Sequence, residues 1–314
     1  MIRYLLKRIA YLAAVLFAAT FMISGMLSLI PGDPAAAVAG ENATPEQLAA
    51  VRASMHLDES LVGRYVTWVG HALRGDLGNS LLGARPISAS IEQFLPVTLE
   101  LVIVAQFLAL VYAIVTSVYA AAHPGGVVDR VTATFSSLVM STPQFVLGLV
   151  LILWFSVKLR WLPVAGWTSL SDSVWGNLKA ITLPVLAIAA APAGIYQAVL
   201  RSDMGRTLQE DYIVMAEAKG LSPLRIRLRH ALRPSLFSTV PLAGVTTARL
   251  IGGAVIVENM FALPGIGRML VDSVTYHDYT AVQGVVAVIA VGCVLINTSI
   301  DLIYPLLDPR VRRG

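Results

Sequence analysis

Six stretches of the chain, about 9–30, 97–122, 131–157, 181–200, 236–257 and 281–303, are apolar over roughly the twenty residues that a helix needs to cross a bilayer. No water meets a backbone amide inside hydrocarbon, so each stretch must satisfy its own N–H and C=O groups and is predicted as a helix. Composition agrees with this. Only 13% of the 314 residues are charged and 56% are hydrophobic, against about 25% charged in a soluble domain. The interior of such a chain is too small to absorb the excess, so lipid solvates much of its surface. Pro143, Pro184 and Pro192 fall within these runs and are expected as kinks, tolerated where neighbouring groups re-satisfy the freed carbonyls. The predicted class is an all-α polytopic membrane protein with six transmembrane helices.

The net charge is +4, and its distribution decides what it means. Taking the N-terminus as cytoplasmic, the inside segments hold Arg3, Lys7 and Arg8, then Arg130, then Arg201, Arg206, Lys219, Arg225, Arg227, Arg229 and Arg233, and finally Arg310, Arg312 and Arg313. That is the bias of basic residues toward the inner side of a membrane, not a nucleic-acid surface. With an even number of spans, both termini are therefore expected on the cytoplasmic side. Ala37-Val38-Ala39 looks like a leader cleavage site, but the run before it exceeds the roughly 7–15 residues of a signal core. A retained first helix is expected. Three regions follow: 1–96, a first helix with a long outer loop; 97–308, the membrane core containing the inner loop 201–235; and a tail, 309–314. The single cysteine, Cys293, can form neither an internal disulfide nor a paired-thiol metal site.

The outer loop, 31–96, is not low-complexity. Thr44-Pro45-Glu46 reads as a helix start, with a hydroxyl cap and proline in the first turn. A second helical stretch runs through Tyr65 to Leu73, where Leu61, Trp68 and Leu73 suggest a packing face. It suits a lid on the membrane helices and a dock for an external partner alike.

The inner loop carries more information. Asp211 to Lys219 is rich in helix formers, and Gly220 supplies a terminus able to adopt φ > 0. Ser222-Pro223 then starts a second short helix, bearing Arg225, Arg227, Arg229, His230 and Arg233 before Pro234. Anionic headgroups would account for the arginines. They would not account for Ala216, Ala218 and Gly220, small residues that let another surface approach closely.

Tyr212-Ile213-Val214-Met215-Ala216-Glu217-Ala218-Lys219-Gly220-Leu221, followed by Arg229-His230-Ala231-Leu232-Arg233-Pro234, resembles the EAA loop of ABC-importer permeases. Leu29 to Pro34, Gly75 to Ser80, Leu95 to Glu100, Ser141 to Phe145, Leu263 to Arg268 and Tyr304 to Arg310 resemble, in the same order, the B-type permease of dipeptide, oligopeptide and nickel importers. The resemblance implies a type I importer fold and transport of small solutes, peptides foremost, with nickel chelates or haem as alternatives. It also implies a C-type permease partner, ABC ATPase subunits, an extracytoplasmic binding protein and a place in the inner membrane of a bacterial cell. Asp211, Ala216, Glu217, Ala218, Gly220 and Arg229 would belong to the coupling site for the ATPase. Lys219 between the alanine and the glycine departs from the strict pattern, as in the peptide branch.

An ATP-driven system needs a phosphate loop, usually ending in Gly-Lys-Ser or Gly-Lys-Thr, and no Gly-Lys pair occurs in this chain. ATP and magnesium are therefore expected on partner subunits, with no cofactor, metal or catalytic residue here. A self-contained secondary transporter would need an intramembrane carboxylate near midplane, and Glu100 is the nearest to one. Charged and polar groups in spans mark candidates for the pathway. Arg249 is foremost, beside the small residues Gly244, Ala248 and Gly252, with Gln144 and Glu258. Contact with solute and pairing of Arg249 with Glu258 or Glu100 are both open on sequence. Gln144 also suits a structural role next to Pro143.

Overall fold

The computed structural model describes residues 2–29, 35, 39–40, 43–54, 58–81 and 85–307. Helices are α1 (Ile2–Leu29), α2 (Pro45–Ser54), α3 (Leu61–Ala72), α4 (Ile87–Ala120), α5 (Val127–Ser141) and α6 (Gln144–Leu151), which continues as a π-helix, Ile152–Lys158. After these come α7 (Val174–Thr207), α8 (Asp211–Ala218), α9 (Pro223–Arg225), a second π segment (Ile226–Ala231), α10 (Leu232–Met260), α11 (Ile266–Thr275) and α12 (Tyr279–Leu307). The described residues contain no strand, only one isolated bridge between Asn79 and Pro86. The chain is all-α.

Four continuous helices are long and apolar enough to cross a membrane: Ile87–Ala120, Val174–Thr207, Pro223–Met260 and Tyr279–Ser299. The first apolar run contains a shorter described apolar helix, Ala13–Gly25. The third differs from expectation. It breaks into Val127–Ser141 and Gln144–Lys158, bent by 109°, where a kinked but continuous helix is predicted. The cause is local: a residue before proline is pushed out of the helical region, and Thr142 is extended at φ −94°, ψ 123°. Pro143 follows in an extended conformation too. Thr142 Oγ1 donates to Leu138 O at 2.8 Å, satisfying a carbonyl that the break releases. Pro184 and Pro192, by contrast, are buried inside an unbroken α7. The loss of one helical hydrogen bond at each is outweighed there by packing on every side.

By contacts the chain forms two compact units, Met1–Thr98 with Pro264–Leu295, and Leu99–Leu263 with Ile296–Gly314. The first has a core of Ile87, Ile91, Ile266, Ala281 and Val285. Its α2 is capped reciprocally: Thr44 Oγ1 accepts from Gln47 N at 3.3 Å, and Gln47 Oε1 accepts from Thr44 N at 2.9 Å. Helix α3 packs on α1 through Tyr65, whose ring meets Phe17 and Phe21 edge-on and whose hydroxyl bonds Thr20 Oγ1 at 2.8 Å. Leu73, expected on that packing face, lies exposed beyond the end of α3. The Asp278 carboxylate receives Ser80 Oγ, Leu81 N at 3.2 Å and Ala281 N at 3.1 Å, fixing the start of α12.

In the second unit α7 is central and packs against α5, α6 and α10. At Gly194 a Cβ would lie 2.9 Å from Ser136 O, so only glycine lets α7 and α5 approach this closely. Tyr196, fully buried on α7, donates to Gln106 Oε1 at 3.1 Å, and Gln106 Nε2 donates to Ala243 O at 3.2 Å. One polar node thus joins α4, α7 and α10.

Candidate functional site

The α7–α10 connection holds most of the residues singled out from sequence. Helix α8 begins after an extended Glu210, with the carboxylate of Asp211 in its first turn, where the helix dipole favours negative charge. It ends in a Schellman turn. Gly220 adopts φ +74°, Gly220 N donates to Glu217 O at 2.8 Å and Leu221 N to Ala216 O at 3.3 Å. Ser222 is extended and Pro223 occupies the first helical position of α9.

Beyond α9 the structure departs from the predicted short second helix. The Pro223–Arg225 turn runs through the π segment straight into α10, so Pro223–Met260 is continuous. Pro234 does not end it. The wide π turn before Pro234 absorbs the misfit that its ring and missing N–H create.

Beneath the corner Ile213, Ala216 and Ile226 form a buried apolar cluster with Leu208 and Leu221 against it. A second cluster, Leu200, Met204 and Ala231, ties the end of α7 to the π segment. Ala216 therefore faces inward, its small side chain letting α8 lie close to Ile226. Asp211, Glu217, Ala218, Gly220 and Arg229 are exposed. Sequence reasoning did not single out Val214, Met215 and Leu224 for an outer surface, yet each is 60% exposed here. Helical phase was the available signal, since positions 214 and 215 fall opposite 213 and 216. Partial burial and then the Glu210 charge push the Tyr212 phenol above its ordinary pKa. Tyr212 OH donates to His230 O at 3.2 Å.

Sequence reading also missed a polar seam that precedes the corner. Arg201 on α7 forms an ion pair with Asp129 on α5 through Nε, and Nη2 donates to Asp129 Oδ2 at 2.8 Å. Four residues earlier, Gln197 Oε1 accepts from Ser136 Oγ at 2.9 Å, while its Nε2 donates to Thr132 Oγ1 at 3.4 Å. Ser117 Oγ donates to Gln197 O at 3.1 Å. Gln197 and Arg201 are one helical turn apart, and Asp129, Thr132 and Ser136 repeat at three and four residues, so the two faces match.

The pathway candidates separate. Gln144 Nε2 donates to Gly253 O at 3.3 Å, which ties α6 to α10. Glu258 is fully buried. Arg249 is exposed along one face of α10 with Val245, Gly252 and Ile256, and forms no ion pair among the described residues.

Comparison with known proteins gives a consistent answer. Residues 113–313 match the family described as the binding-protein-dependent transport system inner membrane component. Residues 1–102 match the N-terminal family of the same membrane components. Among curated relatives, a probable peptide ABC transporter permease protein of Sinorhizobium fredii is 37% identical over 309 residues, 98% of this chain and 99% of the relative. The glutathione transport system permease protein GsiC of Salmonella choleraesuis is 36% identical over 313 residues, 99% of each chain. A putative peptide transport system permease protein of Brucella abortus is 34% identical, covering 98% of both. A solved chain of the MetNI methionine ABC transporter, in inward-facing conformations, aligns with TM-score 0.52 at 18% identity. The alignment covers 69% of this chain and 96% of that one, a likeness of fold.

Proposed function

This chain belongs to the binding-protein-dependent transport family of inner membrane components, and from that premise we propose that it carries dipeptides or oligopeptides inward as the B-type half of a permease pair. The transporter's ATPase subunits hydrolyse ATP, with magnesium, outside this chain. An external binding protein delivers the solute. Relatives named for peptides, and for glutathione, itself a tripeptide, support this substrate class. In this reading six spans cross the inner membrane, with α1 as the first and the α5–α6 pair counted as one, and both termini are cytoplasmic. The basic inner segments support that orientation.

The observation that carries the reading is the α8–α9 corner. It is closed internally by the Schellman turn, anchored underneath by Ile213, Ala216 and Ile226, and apolar outside at Val214, Met215 and Leu224. A rigid knob with an apolar outer surface suits seating in a cleft of an ATPase. Asp211, Glu217 and Arg229 surround it with charges of both signs. Closure of the ATPases on ATP would push the knob, and the π segment would pass the displacement to α10. Arg249, exposed on α10, is our candidate for meeting the solute; Gln144, which donates to Gly253 O, and the buried Glu258 are the further pathway candidates.

The test is co-purification from mild detergent. ATPase subunits should accompany the wild-type chain, and a Gly220→Glu variant should lose them or lose ATP-linked uptake. Recovery of the chain as an autonomous proton- or sodium-driven carrier would overturn the proposal. An Arg249→Met variant with unchanged uptake of a labelled dipeptide would remove Arg249 from the pathway and leave the rest standing.

A further inference from the structure

Pro234 stands in the first turn of α10, directly after the π segment Ile226–Ala231. In an α-helix the N–H of residue 234 would donate to the carbonyl of residue 230, and proline has no N–H to give. The Tyr212 hydroxyl, reaching over from the first turn of α8, donates to that carbonyl at 3.2 Å. A side chain thus supplies the donor that the backbone lacks, across 18 residues of sequence.

The position of this bond gives it mechanical meaning. Helix α8 already grips the near end of the π segment through Ile213 and Ala216 against Ile226. Tyr212 grips the far end at His230. One attachment alone would let α8 pivot about Ile226, and the wide, weakly bonded π turn would absorb the motion. Two attachments straddling the turn make α8 and the start of α10 move together. Beside them, Thr207 Oγ1 meets Ser235 Oγ at 3.2 Å and Ser235 Oγ donates to Ala231 O at 2.8 Å, so the end of α7 meets α10 at the same junction.

We propose that Tyr212 is a positioning residue for energy coupling: its hydroxyl replaces the N–H missing at Pro234 and carries displacement of α8 into α10. The proposal rests on the reading of the corner as the ATPase dock.

The experiment uses the whole importer, with both permeases, ATPase subunits and binding protein, reconstituted in nanodiscs. The readouts are basal ATP hydrolysis, its stimulation by the binding protein, and retention of the ATPase subunits. Tyr212→Phe keeps the ring and removes only the donor. It should leave assembly and basal hydrolysis intact while stimulation falls about fivefold, the scale of one neutral hydrogen bond. Pro234→Ala restores a backbone donor to His230, so adding Tyr212→Phe to that background should change stimulation less than about twofold. Full stimulation in Tyr212→Phe, or an equal loss in both backgrounds, would overturn the proposal. So would failure of Tyr212→Phe to assemble, which would make the hydroxyl merely structural. Should Pro234→Ala itself fail to assemble, hydrogen exchange decides. The amides of Arg233, Ser235 and Leu236 must exchange faster in Tyr212→Phe than in wild type, and unchanged protection rejects the link. Gly220→Glu separates the two readings. Intact association and stimulation in that variant would sink the dock, whereas its loss beside a wild-type Tyr212→Phe would sink the Tyr212 link alone.

Discussion

The α5–α7 seam and the α8–α9 corner are joined by α7 itself, yet they follow opposite rules. In the seam the polar groups point inward and meet partners: the Asp129 side chain is 4% exposed and takes Arg201 and Gly125 N. At the corner the order is reversed, with apolar Val214, Met215 and Leu224 outward and the only buried side chains small or aliphatic. A polar contact inside a membrane protein has few competitors and holds one arrangement. An exposed apolar surface next to charged residues has a partner still to meet. The seam is built to stay closed and the corner to be covered.

Substitutions can break that contrast, and the ion pair of the seam should give the largest effect. Arg201→Met leaves the buried Asp129 carboxylate without its cation and should destabilise the fold by about 3 kcal/mol, read from the denaturation midpoint in detergent. Ala216→Leu forces four carbons' worth of side chain between Ile213 and Ile226. It should cost about 2 kcal/mol by overpacking and displace α8, seen as faster hydrogen exchange at Leu221. Gln197→Leu removes the partner of Ser136 and Thr132 and should cost about 1 kcal/mol, with thermal unfolding as the check. The smallest stability change belongs to Val214→Ser with Met215→Ser, within about 0.5 kcal/mol, although ATPase subunits should no longer co-purify. A large destabilisation from that last pair would erase the distinction between the two regions.

Much of this was legible in the residues. Thr44, Gly220 and Ser222-Pro223 carry local rules that operate whatever surrounds them, and all three act as helix boundaries in the structure. The family resemblance rested on ordered motifs that the comparisons with relatives support over nearly the whole chain. Prolines were not legible one by one. Pro143 breaks a span while Pro184 and Pro192 do not, because the outcome depends on how tightly neighbours hold the helix and on what satisfies the freed carbonyl. Pro234 is a third case, with a π turn before it and a tyrosine from another helix donating to the His230 carbonyl that a backbone N–H at 234 would otherwise serve. The seam was hidden for a related reason. Arg201 was counted with the basic loop, and only the length of α7, which runs on to Thr207, makes it a partner for Asp129. Ala216 reads as a small residue for a visitor to approach, and which side of α8 it occupies depends on the phase set by Ile226.

The contact at Gly194 has one more effect, on time rather than on energy. With the α7 backbone this near Ser136 O, neither water nor an acyl chain fits between the helices at that level. Gln197 and Ser136, both almost wholly enclosed, share a bond in a medium that polarises poorly. Solvent can reach their labile protons only when α5 and α7 part. The deuteration rate of those side chains is thus a clock for separation of the two helices, set beside the corner proposed as the ATPase dock.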